Sequence, residues 1–249
     1  MVETGASRPV ALITGAARRV GSVTARKLHA AGYDLVLHYR HSSADMQALC
    51  AELERARGGS TFAVAAELAD IERLPTLVEA AVNRFGRLDA LVNNASAFYP
   101  TPVGTVTTRQ WNELFASNAQ APFFLSQAAA PHLKSSQGCI VNIVDIYAER
   151  PLPRHPVYCM AKSALAMMTL SLAKELGPEV RVNGVAPGAV MWPESGKAYA
   201  DQQELVERSA LKRAGSPDDV AKAVLFLTRD ATFTTGQILR VDGGRALVI

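Results

Sequence analysis

At 249 residues and 26.6 kDa the chain has the length of one α/β domain, and an apolar content of 49% supplies a sizeable core. A net charge of only +3, with no run of Lys or Arg, excludes an extended nucleic-acid groove, and three irregularly spaced cysteines (Cys50, Cys139, Cys159) exclude a disulfide framework or a zinc site. No charged-then-apolar leader opens the chain and no apolar run approaches membrane-spanning length, so a soluble, cytoplasmic protein with no nucleic-acid or membrane partner is expected.

Short β-rich runs alternate with longer helical patterns. PVALIT (Pro9 to Thr14) predicts a first strand, and Arg19 to Ala31 a helix that Gly32 stops. DLVLHY (Asp34 to Tyr39) predicts a second strand, followed by a helix over Ala44 to Arg57. STFAVAA is a third strand, with a helix over about Ile71 to Phe85 after it. ALVNNA (Ala90 to Ala95) is a fourth strand and opens into the loop SAFYPTPVG. Helices follow at roughly Thr108 to Ser117 and Ala121 to Leu133, then the strand CIVNIV. A long helix runs from about Val157 to Leu176, and RVNGVAP (Arg181 to Pro187) is a sixth strand. Asp218 to Thr228 is helical, and QILRVDG closes the sheet. Strands that are continuous apolar runs between helices predict a parallel sheet of about seven strands, covered on both faces. The expectation is one doubly wound, Rossmann-type α/β domain over 1–249, with 188–216 as a lid over the substrate.

The glycine-containing turn TGAARRVG (Thr14 to Gly21) joins the first strand to the first helix. Backbone N–H groups of such a turn and the helix N-terminus can meet a pyrophosphate. Thr14, Gly15, Arg19, Val20 and Gly21 are therefore expected to bind a dinucleotide. The second strand ends HYRHSS with no acidic residue to hold the adenosine ribose hydroxyls. Tyr39, Arg40, His41 and Ser42 offer instead a cation and donors for a 2′-phosphate, which favours NADPH over NADH. The bland alternative is a solvated loop.

Tyr158 and Lys162 lie four apart in YCMAK, on one face of the long helix. A nearby cation stabilises a phenolate, which makes the tyrosine a usable acid near neutral pH. Asp145 stands thirteen residues before Tyr158, just after CIVNIV. Its bland reading is a cap or turn residue. Phe98 lies in the loop after the fourth strand, at the end of the sheet where open α/β folds bind ligands; its bland reading is a core aromatic. His155 reads as loop surface, and Cys159 as a helix residue without chemistry.

The YxxxK pair and the glycine turn resemble those of the short-chain dehydrogenase/reductase family, whose turn reads TGxxxGxG. Arg19 takes the middle glycine's place here, where it adds a cation near the diphosphate and the substrate. The resemblance implies that NNAS (Asn94, Ala95 and Ser96) flanks the cofactor and that Asn118 in FASNAQ holds a water against Lys162. It also implies that Pro187 and Gly188, in VNGVAPG, contact the nicotinamide amide. Glu67 stands where the family usually has an aspartate near the adenine.

Asp145 stands where most of the family has serine. With Arg19, HYRHSS, NNASAFYPTP and VDIYAERPLPRHPVYCMAKSAL, this resembles the pteridine reductases, including the bacterial dihydromonapterin/dihydrofolate reductase type, across essentially the whole chain. Two departures are visible: the arginine of the protozoan phosphate loop comes one place later than Arg40, and the chain ends LVI without their C-terminal arginine. The resemblance implies that Phe98 stacks on a pterin opposite the nicotinamide and that the protein is a tetramer packed through the long helix. Arg19, Ser96, Phe98, Asp145, Tyr158 and Trp192 are the expected substrate contacts, with Trp192 closing over the ligand or packing the lid down.

Chemistry points the same way. Ketone reduction builds negative charge on oxygen, which a serine hydroxyl can meet and an ionised carboxylate repels. A ring C=N takes hydride at carbon and needs a proton on nitrogen, which an aspartate and a tyrosine can relay. An NADPH-dependent pteridine reductase is therefore expected, against a carbonyl reductase of 3-oxoacyl type and a non-catalytic dinucleotide-sensing protein.

Overall fold

The computed structural model describes residues 8–190, 206–207 and 209–248. Seven strands form one wholly parallel sheet in the order β3-β2-β1-β4-β5-β6-β7. They are β1 (Val10–Ile13), β2 (Asp34–Tyr39), β3 (Thr61–Ala65), β4 (Ala90–Asn93), β5 (Cys139–Ile143), β6 (Arg181–Pro187) and β7 (Ile238–Val241). Each expected strand is present. Among the described residues the α-helices with assigned bounds are α1 (Arg19–Ala30), α2 (Ser43–Ala56), α3 (Leu74–Phe85), α4 (Thr108–Phe115), α5 (Ala121–Ser136), α6 (Pro156–Glu175) and α7 (Pro217–Leu225).

Alternate residues of each strand face opposite layers. Ala11, Ile13, Leu35, Leu37, Val92 and Val141 pack on α1, α2 and α7 through Leu28, Leu49, Leu53 and Val224. Val10, Leu12, Val36, Leu91, Ile140 and Val182 pack on α3 and α5 through Leu77, Val78, Leu125 and Leu133. Both faces of the central strands are thus dry, which is why those strands read as unbroken apolar runs.

α6 corrects one expectation. Its 20 residues are long and apolar enough to cross a membrane by composition, and half of the window concerned is buried in the fold. Ala161, Leu165, Thr169 and Ala173 face inward, whereas Met160, Met167 and Leu170 are 42%, 61% and 44% exposed. Sheet packing accounts for one side of this helix only.

Candidate active site

The strand order reverses between β1 and β4, so the loops leaving their C-terminal ends diverge and open a cleft. Three further loops meet there: those after β2, β5 and β6.

The turn after β1 is locked to the turn after β4. Thr14 Oγ1 accepts from the backbone N–H groups of Asn94 (2.9 Å) and Ala95 (3.0 Å). Asn94 Nδ2 donates back to the carbonyls of Thr14 (2.8 Å) and Gly15 (3.0 Å). Gly15 has φ +62, and a Cβ on Gly21 would sit 2.2 Å from the Gly15 carbonyl oxygen. Any larger residue at Gly21 would push α1 off the turn. Arg19 has φ +54, the left-handed region that costs a non-glycine residue energy. That conformation explains why glycine is the usual occupant and why arginine is a departure. Arg18, at the N-cap of α1, makes no side-chain cap, and the first turn holds no acidic residue. The N–H groups and positive dipole end of this helix suit a diphosphate. The residues present therefore fit a dinucleotide.

His38 belongs to this site and the sequence reading missed it. Its Nδ1 accepts from Gly15 N at 3.1 Å, and its Nε2 lies 3.1 Å from the Ala66 carbonyl. Burial lowers its pKa, so the neutral ring spans β1, β2 and the end of β3. A histidine inside the apolar strand DLVLHY was the available signal.

Arg40, at the end of β2, is 54% exposed and lies 3.5 Å from Glu67. Glu67 also accepts from Ala69 N at 3.1 Å. His41 is exposed, and Ser42 occupies the N-cap of α2 without a side-chain cap bond. The expected phosphate cradle thus contains a carboxylate beside its cation, and only the fold brings that pair together.

The reactive cluster forms where β5 ends and α6 begins. Asp145 is extended, and its Oδ1 accepts from Tyr147 N at 2.9 Å, which caps a turn of 3-10 helix over Ile146–Ala148. Its Oδ2 accepts from the Tyr158 hydroxyl at 2.7 Å. Asp145 therefore caps the turn through one oxygen and meets the Tyr158 hydroxyl through the other. Removal from water raises the Asp145 pKa, against the hydrogen bonds to Tyr147 and Tyr158 and the charge of Lys162, which lower it.

Lys162 is 2% exposed and donates to the Ile143 carbonyl at 2.8 Å. Its Nζ lies 5.8 Å from the centre of the Tyr158 ring. The sequence reading made lysine the group acting on the phenol; the hydroxyl's partner here is Asp145, with the ammonium behind the ring. Burial pushes the lysine down to about 8, partly offset by Asp145.

Asn118 is fully buried in a π-helical turn, Ala116–Gln120, between α4 and α5. Its Nδ2 donates to the carbonyls of Ala97 and Leu114, both at 2.9 Å, and its Oδ1 accepts from Ser96 Oγ at 2.7 Å. The side chain is therefore committed to the β4 loop and to Leu114 of α4. Pro122, four residues on, has no N–H to offer the Asn118 carbonyl, so that α-helical bond is missing here.

Phe98 stands edge-on to Tyr158, with ring centres 4.7 Å apart at 80°. It also stacks on His155, at 4.8 Å and 7°. His155, at the N-cap of α6, is half-buried, and ring packing with Phe98 covers one face. Cys159 is buried, and its sulfur accepts from Leu152 N. Pro187 is buried and Gly188 half-buried at the end of β6, where Gly188 N donates to Val241 O at 3.0 Å. Trp192 and most of the expected lid lie outside the described residues.

Beneath the cluster, Asn142 of β5 links two elements. It accepts from Asn93 of β4 and donates to Thr169 of α6, each at 2.9 Å. Buried polar pairs of this kind fix one register and one helix placement.

Comparison with known proteins gives a consistent family. The model for "Enoyl-(Acyl carrier protein) reductase" matches residues 15–246. Pteridine reductase 1 of Leishmania tarentolae is 37% identical, over 98% of this chain and 98% of its own. A putative ketoacyl reductase of granaticin polyketide synthase from Streptomyces violaceoruber is also 37% identical, over 96% and 97%. A 3-oxoacyl-[acyl-carrier-protein] reductase of Synechocystis sp. is 33% identical, over 98% and 99%.

Proposed function

The chain belongs to the short-chain dehydrogenase/reductase family of oxidoreductases, and we propose that it is an NADPH-dependent pteridine reductase acting on a pterin or dihydropterin ring C=N. One observation carries the reading: Oδ2 of Asp145 accepts from the Tyr158 hydroxyl at 2.7 Å, where a ketone reductase needs a second donor. The similarity to pteridine reductase 1 supports it. The ketoacyl reductases among the relatives favour a second reading, a carbonyl reductase of 3-oxoacyl type.

Held by the turn at Thr14, Gly15 and Gly21, a nicotinamide cofactor would supply hydride for the ring carbon. The ring nitrogen then needs a proton, and Tyr158 is placed to give it. Asp145 holds the phenol in position by accepting from its hydroxyl and with it can relay a proton. Asp145 can also accept from a ring or amino N–H of the heterocycle. Lys162 keeps positive charge behind the phenol ring as negative charge develops. Phe98, beside Tyr158, is the flat ring in this reading, and Arg19 and Ser96 follow β1 and β4 at the same end of the sheet. Steady oxidation of NADPH with dihydrobiopterin, and none with acetoacetyl thioesters, is expected. The reverse pattern establishes the carbonyl reductase, and no oxidation with either removes both readings.

NADPH preference rests on Arg40, His41 and Ser42. Arg40→Ala should weaken NADPH binding while leaving NADH nearly unchanged. A charge-assisted contact contributes about 1.5–3 kcal/mol, and the exposure of Arg40 places the effect near the lower end, about tenfold. Equal losses for both cofactors, measured by titration, overturn the preference.

The dependence on pH follows from Lys162. A lysine lowered to about 8 carries its charge below that pH and loses it above. The kcat/KM should therefore fall as pH rises through about 8, and Lys162→Arg, always charged, should abolish that limb in whatever activity it retains. The stability effect has the opposite sign. The folded pKa lies below the ordinary 10.5, so the buried ammonium costs stability below pH about 8, and the cost disappears as pH rises towards 10.5.

A homotetramer is expected from α6. Met160, Met167 and Leu170 leave an apolar strip in water, and Trp111 and Phe123 are also about two-fifths exposed. Sedimentation at micromolar concentration should give several times 26.6 kDa; a monomer mass refutes this.

A further inference from the structure

We propose that His155 is a positioning residue for substrate: it backs the ring of Phe98 and so fixes the platform on which a flat heterocycle stacks. The inference rests on the pterin reading and deepens it.

Phe98 leaves the end of β4 on a loop, and a loop phenylalanine has two side-chain torsions to spend. A platform that swings cannot hold a ring carbon in register with a hydride donor. Three contacts stop it. The Phe98 ring lies parallel to His155, with centres 4.8 Å apart at 7°. Its edge meets Tyr158 at 4.7 Å and 80°. Thr101 N, fully buried, donates to the Arg154 carbonyl at 2.7 Å and clasps the two loops together.

His155 is itself held. Its Nδ1 lies 2.9 Å from the Pro153 carbonyl, so this nitrogen donates. Its backbone N–H donates to Leu152 at 3.2 Å, and its carbonyl accepts from Cys159 at 3.0 Å. Arg154 before it adopts φ +66, a left-handed turn that presents the imidazole to Phe98. The segment that starts α6 therefore carries both the expected acid, Tyr158, and the support for the stacking ring. Phe98 and His155 thus form one pair of parallel rings, aligned to Tyr158 through α6.

The test uses the full chain, NADPH and dihydrobiopterin. His155→Ala should raise KM for dihydrobiopterin about threefold to tenfold, the scale of an aromatic pair, with kcat and the NADPH affinity little changed. His155→Phe should restore KM to within about twofold, because a flat ring is what the position supplies. In a Phe98→Ala background, His155→Ala should add nothing, since it acts through that ring. An unchanged KM in His155→Ala overturns the proposal, as does a His155→Phe enzyme no better than His155→Ala. Additive effects in the double variant also overturn it, because they place His155 outside the Phe98 stack. Failure of the parent enzyme to reduce dihydrobiopterin at all is distinguishable: it brings down the pterin reading first, and this inference with it.

Discussion

Tyr158→Phe should leave the fold intact and reduce turnover on dihydropterin by about a hundredfold to ten-thousandfold, the usual cost of a lost general acid. The substitution removes one oxygen. The ring keeps its edge contact with Phe98 and its place over the Lys162 ammonium. Asp145 Oδ2 loses its donor, while Oδ1 still caps the turn through Tyr147 N. A partly buried carboxylate without one of its partners is more easily protonated, so the pH dependence of any residual activity should also move. Lys162→Met should fall comparably in turnover, yet its melting temperature should hold or rise at neutral pH. It removes a buried ammonium whose folded pKa lies at about 8 rather than 10.5. Steady-state kinetics beside thermal denaturation separate the effects. A Tyr158→Phe enzyme retaining most of its activity requires another proton source, such as water held by Asp145.

Asp145→Ser tests the substrate assignment itself. Serine can still cap the turn at Tyr147, so little stability should be lost. Its single short hydroxyl cannot also reach the Tyr158 oxygen as Oδ2 does. Activity on dihydropterin should fall by a few kcal/mol, the scale of a lost charged hydrogen bond or an unpaired buried polar group. The loss should appear in kcat as well as KM, because the proton relay and the N–H acceptor are removed together. Weak reduction of a small reactive ketone or quinone should emerge, since a hydroxyl donor has been restored. Arg19 and Phe98 remain, so a complete switch is not expected. Asp145→Asn keeps the shape and the cap but not the charge, and should lose nearly as much on pterin as serine does. Undiminished dihydropterin reduction by Asp145→Ser makes the residue a cap alone and removes the main physical support for a pterin substrate.

The fold was largely legible in the residues. Unbroken apolar strands alternating with helical runs require a parallel sheet buried on both sides, and each expected strand lies in that sheet. Such patterns are local: side-chain direction repeats every two residues in a strand and every three to four in a helix, whatever the rest of the chain does. The same logic placed Tyr158 and Lys162 on one face of α6, both buried. Gly15 and Gly21 were legible because no other residue type meets their backbone and packing constraints.

What tertiary structure alone decided is who meets whom. Gly15 finds His38, Arg40 finds Glu67, Phe98 finds His155, and Asp145 finds both Tyr147 and Tyr158. Most of these partners come from different elements, and their distances depend on how loops leave neighbouring strands and on the turn before α6. No periodicity encodes that. Protonation states belong to the same class. YCMAK places a cation near a phenol, but only enclosure by β5 and α6 removes water from Lys162 and lowers it to about 8. Desolvation is a property of everything packed around a group, and a group's own sequence neighbours supply little of it.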